Sequence, residues 1–240
     1  MKFDVVIPYC EKDEYTIYSC IDSLKNISEI NNIYVVSSKE FTYKNIKWVN
    51  EDIFPFKIGD ITRLNSSIPQ ERAGWYYQQL IKLHSFLIPN ITDSFLILDS
   101  DVIFLRDVNF FENNKFKYNY SHEYTAQYFE CMYRLNNFFV KSVNISGICH
   151  HMIFEKKILD EIFNLIEQPG EEVYETIIKA VTHSHIGFSE YELYFNYIFK
   201  KYPESYTIRH LNYDDVTDYK LFLQNNNYDY VANHAWKRLE

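Results

Sequence analysis

The sequence predicts an α/β fold with a mostly parallel, twisted sheet flanked by helices. Short apolar segments of strand length alternate with longer amphipathic segments in the first hundred residues, which is typical of β-α-β units. One of these apolar segments, residues 94–98, ends directly at two acidic residues. Ligands of open α/β sheets lie beyond the carboxyl ends of strands. We expect one domain that covers all 240 residues.

The first 68 residues are predicted to contain three strands, one helix and a long loop. The first strand is a short apolar run that stops at Pro8, because proline cannot donate a hydrogen bond to a sheet. Residues 50–68 contain Pro55 and Gly59 and are predicted to form the loop. The predicted strands are residues 3–7, 33–36 and 46–49, and the predicted helix is residues 13–25.

The clearest helix is predicted at residues 69–88, where apolar side chains recur at helical spacing and Pro89 ends the segment. Ser189 and Glu192 have the spacing of a capping box, which predicts a second helix from Ser189 to about Lys201. Residues 108–140 give no clear pattern. The other predicted elements are a strand within residues 144–154, an amphipathic helix at 155–167 and strands at 206–208 and 228–232.

The charge and the cysteines exclude several classes of protein. The net charge of −9 argues against a nucleic-acid-binding surface, which needs a basic stripe to neutralise phosphates. The four cysteines form no C-x-x-C pair and predict reduced core thiols. No apolar run approaches the roughly 18 residues of a membrane-spanning helix, so we expect a soluble, cytoplasmic protein without a transmembrane segment. A small anionic ligand stays compatible with the charge if a metal ion accompanies it.

The strongest chemical signal is Asp99-Ser100-Asp101, which follows the apolar run of residues 94–98. Two carboxylates one residue apart repel each other unless a cation lies between them. Bound Mg²⁺ or Mn²⁺ would also bridge to phosphate oxygens and offset their charge. The alternative is an Asx-type turn after a strand, since Asp and Ser favour turns.

Five segments between residues 3 and 234 carry a family resemblance. They are IPY at residues 7–9, GWYYQQLIKL at 74–83, LDSD at 98–101, HHMIF at 150–154 and FSEYELY at 188–194. The combination resembles the GT-A glycosyltransferases, and in particular a group of small GT-A enzymes from bacteria and large viruses. The resemblance implies a donor-binding part at about residues 1–105 and an acceptor and catalytic part at about 106–240.

The resemblance also implies roles for particular residues. Pro8 and Tyr9 would line the base and ribose pocket. Asp99, with Ser100, would contact the donor ribose or the water shell of the metal, and Asp101 would bind the metal directly. GT-A enzymes often add a histidine ligand near the carboxyl end of the chain, and His234 occupies the matching place.

Three polar residues before the D-x-D strand are further candidates for donor contact. Gln78 and Lys82 are four residues apart and share a helix face with each other, and Arg72 precedes them. The alternative for this face is solvation without function. His150 and His151 would flank the sugar pocket by resemblance. Adjacent strand residues point to opposite faces, so only one of them faces the ligand, and we take His151 as the donor contact.

Glu190 is the candidate catalytic base. An inverting transferase needs a carboxylate that deprotonates the acceptor hydroxyl as it attacks the anomeric carbon. Glu192, at the third position of the helix, is expected to close the capping box, which leaves Glu190 free to face a cleft. The alternative for Glu190 is a favourable negative charge at a helix N-terminus.

The sequence thus predicts a metal-dependent glycosyltransferase that uses Mn²⁺ or Mg²⁺. It would move a sugar from a UDP- or dTDP-type donor to a hydroxyl acceptor, with inversion. One alternative is a phosphatase of the haloacid-dehalogenase type, because Asp99-Ser100-Asp101-Val102 also matches its D-x-D-x-[TV] motif. Asp214 and Asp215 would then supply its late acidic pair, although that motif usually opens a chain. The other alternative is an inert sugar-nucleotide-binding module.

Overall fold

A five-stranded sheet forms the centre of the protein, in a computed structural model that describes residues 1–225 and 227–238. In chain order, the strands are β1 (Phe3–Pro8), β2 (Ile30–Ser37), β3 (Lys47–Asn50), β4 (Ser94–Leu98), β5 (Val102–Phe104), β6 (Phe111–Glu112), β7 (Lys115–Asn119), β8 (His151–Glu155), β9 (Thr207–Arg209), β10 (Tyr213–Asp215) and β11 (Tyr230–Ala232). The helices are α1 (Glu14–Ser23), α2 (Ile58–Leu64), α3 (Gln70–Leu83), α4 (Ala126–Leu135), α5 (Lys156–Ile166), α6 (Val173–Ala180) and α7 (Glu190–Lys201).

The central sheet has the strand order β3-β2-β1-β4-β8. The first four of these strands are parallel to their neighbours, and β8 is antiparallel to β4. Both β1 and β4 are buried along their whole length, as expected for strands covered by helices on both faces. The predicted α/β class with a mostly parallel sheet is confirmed.

Two small sheets extend this scaffold. In one of them, β11 lies between β10, to which it is parallel, and β5, to which it is antiparallel. The other has the order β6-β7-β9. Because β5 begins directly after Asp101, its pairing with β11 ties the turn after β4 to the last part of the chain. The local order of the sequence does not reveal this link.

Helix α3 is shorter than the predicted helix at residues 69–88. The side chains of Tyr76, Leu80 and Leu83 are buried, as the spacing predicts, but the helix ends at Leu83. His84 Nδ1 donates to the Leu80 carbonyl and Ser85 Oγ donates to the Ile81 carbonyl. These side chains satisfy carbonyls at the end of the helix, and a 3₁₀ turn follows at Ser85–Leu87.

Several elements form where the sequence predicts a loop or carries no clear pattern. The predicted loop at residues 50–68 contains α2, which is only seven residues long and has Gly59 inside it. Residues 108–140 contain β6, β7 and α4, and neither α6 nor β10 was expected. Elements of two to ten residues present too few periods for a pattern to be recognised.

The N-terminus of α7 corrects one detail of the predicted capping box. Ser189 Oγ accepts a hydrogen bond from the backbone N–H of Glu192 at 3.3 Å, as predicted. The Glu192 carboxylate does not return to Ser189. It accepts instead from Ser146 Oγ at 2.6 Å and Asn196 Nδ2 at 2.7 Å, which fastens the loop before β8 to α7.

The remaining expectations concern the thiols and membrane spans. Cys20, Cys131 and Cys149 are buried free thiols, whereas Cys10 is exposed. Among the residues that the structure describes, no helix combines the length and apolar character that crossing a bilayer would require.

Candidate functional site

A cavity of about 640 Å³ lies at the carboxyl ends of β1 and β4. The two strands are parallel neighbours, so the residues that follow them meet at one edge of the sheet, where open α/β sheets bind ligands. Every predicted site residue except His151 lines this cavity. The lining residues among them are Pro8, Tyr9, Arg72, Gln78, Lys82, Asp99, Ser100, Asp101, Glu190 and His234.

Strand register brings two histidines to the D-x-D turn. On one side, the antiparallel pairing of β4 with β8 sets Leu98 opposite His151. The backbone N–H of Asp99 therefore donates to the carbonyl of His150 at 2.9 Å. On the other side, the Asn233 N–H donates to the Asp101 carbonyl at 2.9 Å. These two contacts place one histidine beside each aspartate of the motif.

A third strand brings Asp215 to the same place. In the register of β10 with β11, Asp215 lies opposite Ala232, two residues before His234. We call the resulting group the Asp–His cluster. It consists of Asp99, Asp101, His150, Asp215 and His234.

Each imidazole of the Asp–His cluster lies between two carboxylates. His234 Nδ1 is 2.8 Å from Asp101 Oδ2, and His234 Nε2 is 3.4 Å from Asp215 Oδ1. His150 Nδ1 is 3.4 Å from Asp99 Oδ2, and His150 Nε2 is 3.6 Å from Asp215 Oδ1. Asp215 therefore joins the two histidines, while the two aspartates of the D-x-D motif each hold one of them.

The electrostatics of the cluster follow from this alternation of acids and imidazoles. Burial lowers the pKa of His150, but the carboxylates of Asp215 and Asp99 outweigh it and raise the pKa to about 10. Burial also lowers the pKa of His234, but the carboxylates of Asp101 and Asp215 outweigh this effect and raise the pKa to about 9. Burial raises the pKa of Asp215, yet the two histidines hold it well below its usual range. Positive charge is thus strongly stabilised among these carboxylates.

The backbone of His150 is held in an unusual conformation. Its φ of +62° lies in the left-handed region, which non-glycine residues seldom adopt and which is frequent at functional sites. The loop before it packs tightly on α7. A Cβ added at Gly147 would come within 2.5 Å of Phe195 Cβ. The close approach of Gly147 and the strained backbone at His150 together fix the imidazole beside Asp99.

Lys82 lies between two carboxylates on the other side of Asp99. Its Nζ is 2.5 Å from Asp99 Oδ1 and 2.7 Å from Glu190 Oε1, and its side chain is only 3 % exposed. Burial lowers the pKa of Lys82, but the two carboxylates more than reverse this effect and raise it. The alternative of a solvated helix face is therefore wrong for Lys82.

Glu190 reaches the cavity from the first turn of α7. Its backbone N–H is satisfied by Gln79 Oε1 at 3.2 Å, and its carboxylate accepts from Lys82. Burial raises the pKa of Glu190, and the Lys82 ammonium opposes that rise. Tyr191, the next residue, donates its hydroxyl to Asp99 Oδ1 at 3.2 Å. The start of α7 is therefore tied to the D-x-D turn directly and through Lys82.

The other predicted donor contacts line the wall of the cavity. The Arg72 guanidinium lies over the Trp75 ring, 4.4 Å from its centroid. Tyr9 packs against Phe41 with ring centroids 5.1 Å apart. Ser100 is 4 % exposed and donates its hydroxyl to Asp13 Oδ2 at 2.8 Å. The Ser100 hydroxyl is therefore already engaged by the protein.

His151 is a correction to the predicted donor contacts. Its ring packs in an aromatic pocket, with centroid distances of 4.9 Å to Tyr230, 5.4 Å to Phe104 and 5.5 Å to Phe110. Burial lowers its pKa to about 3, and it does not line the cavity. The residue that faces the cavity is His150, which precedes β8 and has a left-handed backbone.

Sequence reasoning missed His150 and Asp215 as members of the site. The pair His150-His151 was recognised, but the choice between its members depends on which face of β8 meets the core. In the sequence, Asp215 stands out only as half of the acidic pair Asp214-Asp215. It reaches the cluster through β10, a three-residue strand with no readable pattern.

The Asp–His cluster has the donor set of a divalent cation site. Three of its buried atoms lack a hydrogen-bond partner within the described part of the chain: Asp101 Oδ1, His150 Nε2 and Asp215 Oδ1. One ligand atom from each of His150, Asp215 and His234 lies within 4.8 Å of the other two. Unpartnered buried polar atoms are costly, and a cation at the cluster, together with the water bound to it, would satisfy all three. The residues therefore fit a metal ion.

The fold resembles that of a solved glycosyltransferase structure. Mouse xyloside xylosyltransferase 1 matches with a TM-score of 0.52 and 9 % identity, and the match covers 100 % of both chains. A glycosyltransferase involved in the glycosylation of the major capsid of PBCV-1 matches with a TM-score of 0.44 and 14 % identity, over 99 % of this chain and 97 % of that chain. The match to the xylosyltransferase confirms the fold class that the GT-A resemblance predicts.

At the level of sequence families, the chain belongs to DUF6492, a family of unknown function whose model matches residues 2–236. No curated protein matches the chain.

Proposed function

We propose that the protein is a metal-dependent glycosyltransferase that uses a nucleoside diphosphate sugar, of the UDP or dTDP type. The observation that carries this proposal is the Asp–His cluster at one end of a cavity of about 640 Å³ on the ligand-binding edge of the sheet. Residues from about 1 to 105 would bind the donor, and those from about 106 to 240 would supply the acceptor side and the base.

The charge of the cavity supports a cation as the partner of the diphosphate. Lys82 is the buried cationic side chain closest to the D-x-D motif, but Asp99 and Glu190 already neutralise it. Arg72 lies near the start of the same helix, α3, over Trp75. A diphosphate at the motif would face the carboxylates of Asp99 and Asp101, and a divalent ion between them would offset this repulsion. Bound Mn²⁺ or Mg²⁺ would supply charge stabilisation for the leaving diphosphate.

The metal position proposed from the resemblance involves Asp99, Asp101 and His234. Their side chains lie together with those of His150 and Asp215 in the Asp–His cluster, which supports an ion at this location. Around them, Pro8 and Tyr9 would contact the base and ribose, and Arg72 and Gln78 would contact the phosphate or sugar hydroxyls. The cavity also has aromatic walls suited to a base or a pyranose face, formed by Tyr9, Trp75, Tyr77, Tyr128 and Trp236.

Glu190 is the proposed base of the transfer. It would take the proton of the acceptor hydroxyl as that oxygen bonds to the anomeric carbon and the bond from this carbon to the diphosphate oxygen breaks. Inversion of the anomeric centre is part of the proposal. The contact with Lys82 at 2.7 Å keeps Glu190 oriented toward the cavity and favours its ionised form.

A donor-cleavage assay tests this function. The protein is incubated with UDP- and dTDP-sugars in the presence of Mn²⁺ or Mg²⁺, with and without simple glycoside acceptors, and release of the nucleoside diphosphate is measured. We expect release from at least one donor, its loss with a chelator, and its loss in Asp101→Asn. Asp93→Asn, an exposed change outside the cavity, should behave as wild type. Hydrolysis of simple phosphate monoesters without cleavage of any donor would instead establish a phosphatase.

A further inference from the structure

The Asp–His cluster has an internal order that separates two kinds of role. The Nε2 atoms of His150 and His234 both point to Asp215 Oδ1, at 3.6 and 3.4 Å. Their Nδ1 atoms point to the D-x-D carboxylates, with His150 toward Asp99 and His234 toward Asp101. In both histidines, Nε2 is therefore the inward atom, which points to Asp215, and Nδ1 is the outward atom, which points to a D-x-D carboxylate.

The inward atoms have the spacing of ligands on one ion. Imidazole nitrogens and carboxylate oxygens bind transition metals at about 2.0–2.2 Å, so neighbouring ligands of one ion lie roughly 3–3.5 Å apart. The two distances to Asp215 Oδ1 are close to this range. His150 Nε2 and Asp215 Oδ1 are also buried without a hydrogen-bond partner in residues 1–225 and 227–238.

We propose that the cation is bound directly by His150 Nε2, His234 Nε2 and Asp215 Oδ1, and that Asp99 and Asp101 orient the two histidines instead of binding the ion. This inference deepens the proposed function, since it concerns the cation of that same site. A carboxylate that holds the second ring nitrogen of a metal-binding histidine is a common arrangement, which fixes the tautomer and the ring orientation.

The outward contacts support this division. Asp101 Oδ2 accepts from His234 Nδ1 at 2.8 Å, a full hydrogen bond that leaves Nε2 as the coordinating atom. Asp99 Oδ2 lies toward His150, and Asp99 Oδ1 contacts Lys82 and accepts from the Tyr191 hydroxyl. A carboxylate with three protein partners is poorly placed to bind an ion as well. Asp101 Oδ1, which is buried without a partner, would then accept from a water on the ion.

The donor set also selects the metal. Imidazole nitrogen suits first-row transition ions, whereas Mg²⁺ prefers oxygen ligands and water. Two histidines and one carboxylate leave further coordination positions open for substrate oxygens. The site should therefore bind Mn²⁺, Co²⁺ or Zn²⁺ in preference to Mg²⁺.

The test measures metal binding without any nucleotide. Affinities for Mn²⁺ and Mg²⁺ are determined by calorimetry, and pulsed EPR of the Mn²⁺-loaded protein counts the nitrogen atoms coupled to the ion. We expect two coupled nitrogens in wild type and an affinity for Mn²⁺ at least about tenfold above that for Mg²⁺. His150→Gln and His234→Gln should each remove one coupled nitrogen, and Asp215→Asn should weaken binding with both nitrogens retained.

The variant of the D-x-D motif separates the two roles. Asp101→Asn should retain both coupled nitrogens and lower the Mn²⁺ affinity by about 10- to 100-fold, the effect typical of a residue that orients a ligand. The matched control is His122→Gln, a change at an exposed histidine that should leave the affinity and the nitrogen count unchanged. Thermal unfolding followed by circular dichroism establishes that each variant is folded.

The outcomes distinguish this inference from the proposed function. A wild-type spectrum with one coupled nitrogen or none overturns the inference without any variant, and so does a His150→Gln protein with unchanged affinity and spectrum. Cation-dependent UDP binding together with such a spectrum would support the proposed transferase function and assign the ion to the D-x-D carboxylates. Two coupled nitrogens in a protein that binds no nucleotide would support the metal site and contradict the proposed transferase function.

Discussion

At the scale of single residues, the site is organised by shared partners. Lys82 contacts both Asp99 and Glu190, and Asp215 contacts both histidines of the Asp–His cluster. A change at one member therefore alters the charge balance of its neighbours. Breaking a buried ion pair by removing one partner is costly, because the other charge is left uncompensated. Isosteric changes are the clean way to test roles in such a site.

Glu190→Gln tests the proposed base. Glutamine keeps the size of the side chain and a carbonyl oxygen for Lys82, but it cannot accept a proton. We expect kcat to fall by roughly 10²-fold or more, with the affinity for the donor unchanged. Steady-state kinetics and calorimetry on the same preparation measure the two quantities.

Glu192→Gln is the matched control for that prediction. It lies on the same helix and is buried, but its carboxylate contacts Ser146 and Asn196 instead of lining the cavity. Its kcat should equal that of wild type. Full turnover in Glu190→Gln would show that the acceptor is deprotonated by another group.

At the scale of the elements, the D-x-D motif was predictable and its partners were not. Asp99 and Asp101 follow a fully buried strand, a signal contained in eight consecutive residues. His150 and Asp215 reach the site only through the pairing of β4 with β8 and of β10 with β11. Register between distant strands depends on which face each buries, and a single sequence does not specify that for strands of three to five residues.

The same limit explains the error at His151. The resemblance implies a role for the pair His150-His151, but the choice between its members depends on the orientation of β8, which a single sequence does not specify. In the fold, the left-handed backbone at His150 precedes the strand and turns its ring to the cavity. Positive φ at a residue other than glycine or asparagine leaves little trace in the sequence.

The end of α3 gives a prediction about pH. His84 lies among Phe56, Phe86 and Phe163 and is 4 % exposed. Burial lowers its pKa to about 4, below the value of roughly 6.5 in an unfolded chain. The unfolded state then binds a proton at higher pH than the folded state. His84 therefore lowers the free energy of unfolding as the pH falls from about 6.5 to about 4, by roughly 3 kcal/mol in total.

Urea unfolding at a series of pH values measures this effect. Because other groups titrate in the same range, the informative quantity is the difference between wild type and His84→Gln. The variant should lose less stability than wild type between pH 6.5 and 4. Parallel pH profiles for the two proteins would mean that His84 has the same pKa in the folded and unfolded states.

At the scale of the whole molecule, the cavity depends on both ends of the chain. The parallel strands β1 to β4 form the sheet edge at which the cavity lies, and β10 and β11 bring Asp215 and His234 to it. Helices α3 and α7 add Lys82 and Glu190, which form an ion pair next to Asp99. The general fold could be predicted because the first hundred residues carry long, regular patterns. The second half is built from short strands, and its part in the site was visible only by resemblance.

The central claim is that the cavity binds a nucleoside diphosphate through a cation at the Asp–His cluster. Calorimetric titration of UDP into the protein, with and without Mn²⁺, tests it most directly, with Asp101→Ala as the test variant and Asp93→Ala as the control. We predict binding that requires Mn²⁺, is lost in Asp101→Ala and is retained in Asp93→Ala. Absence of UDP and dTDP binding under every condition, or binding that ignores both Mn²⁺ and Asp101, would contradict the account.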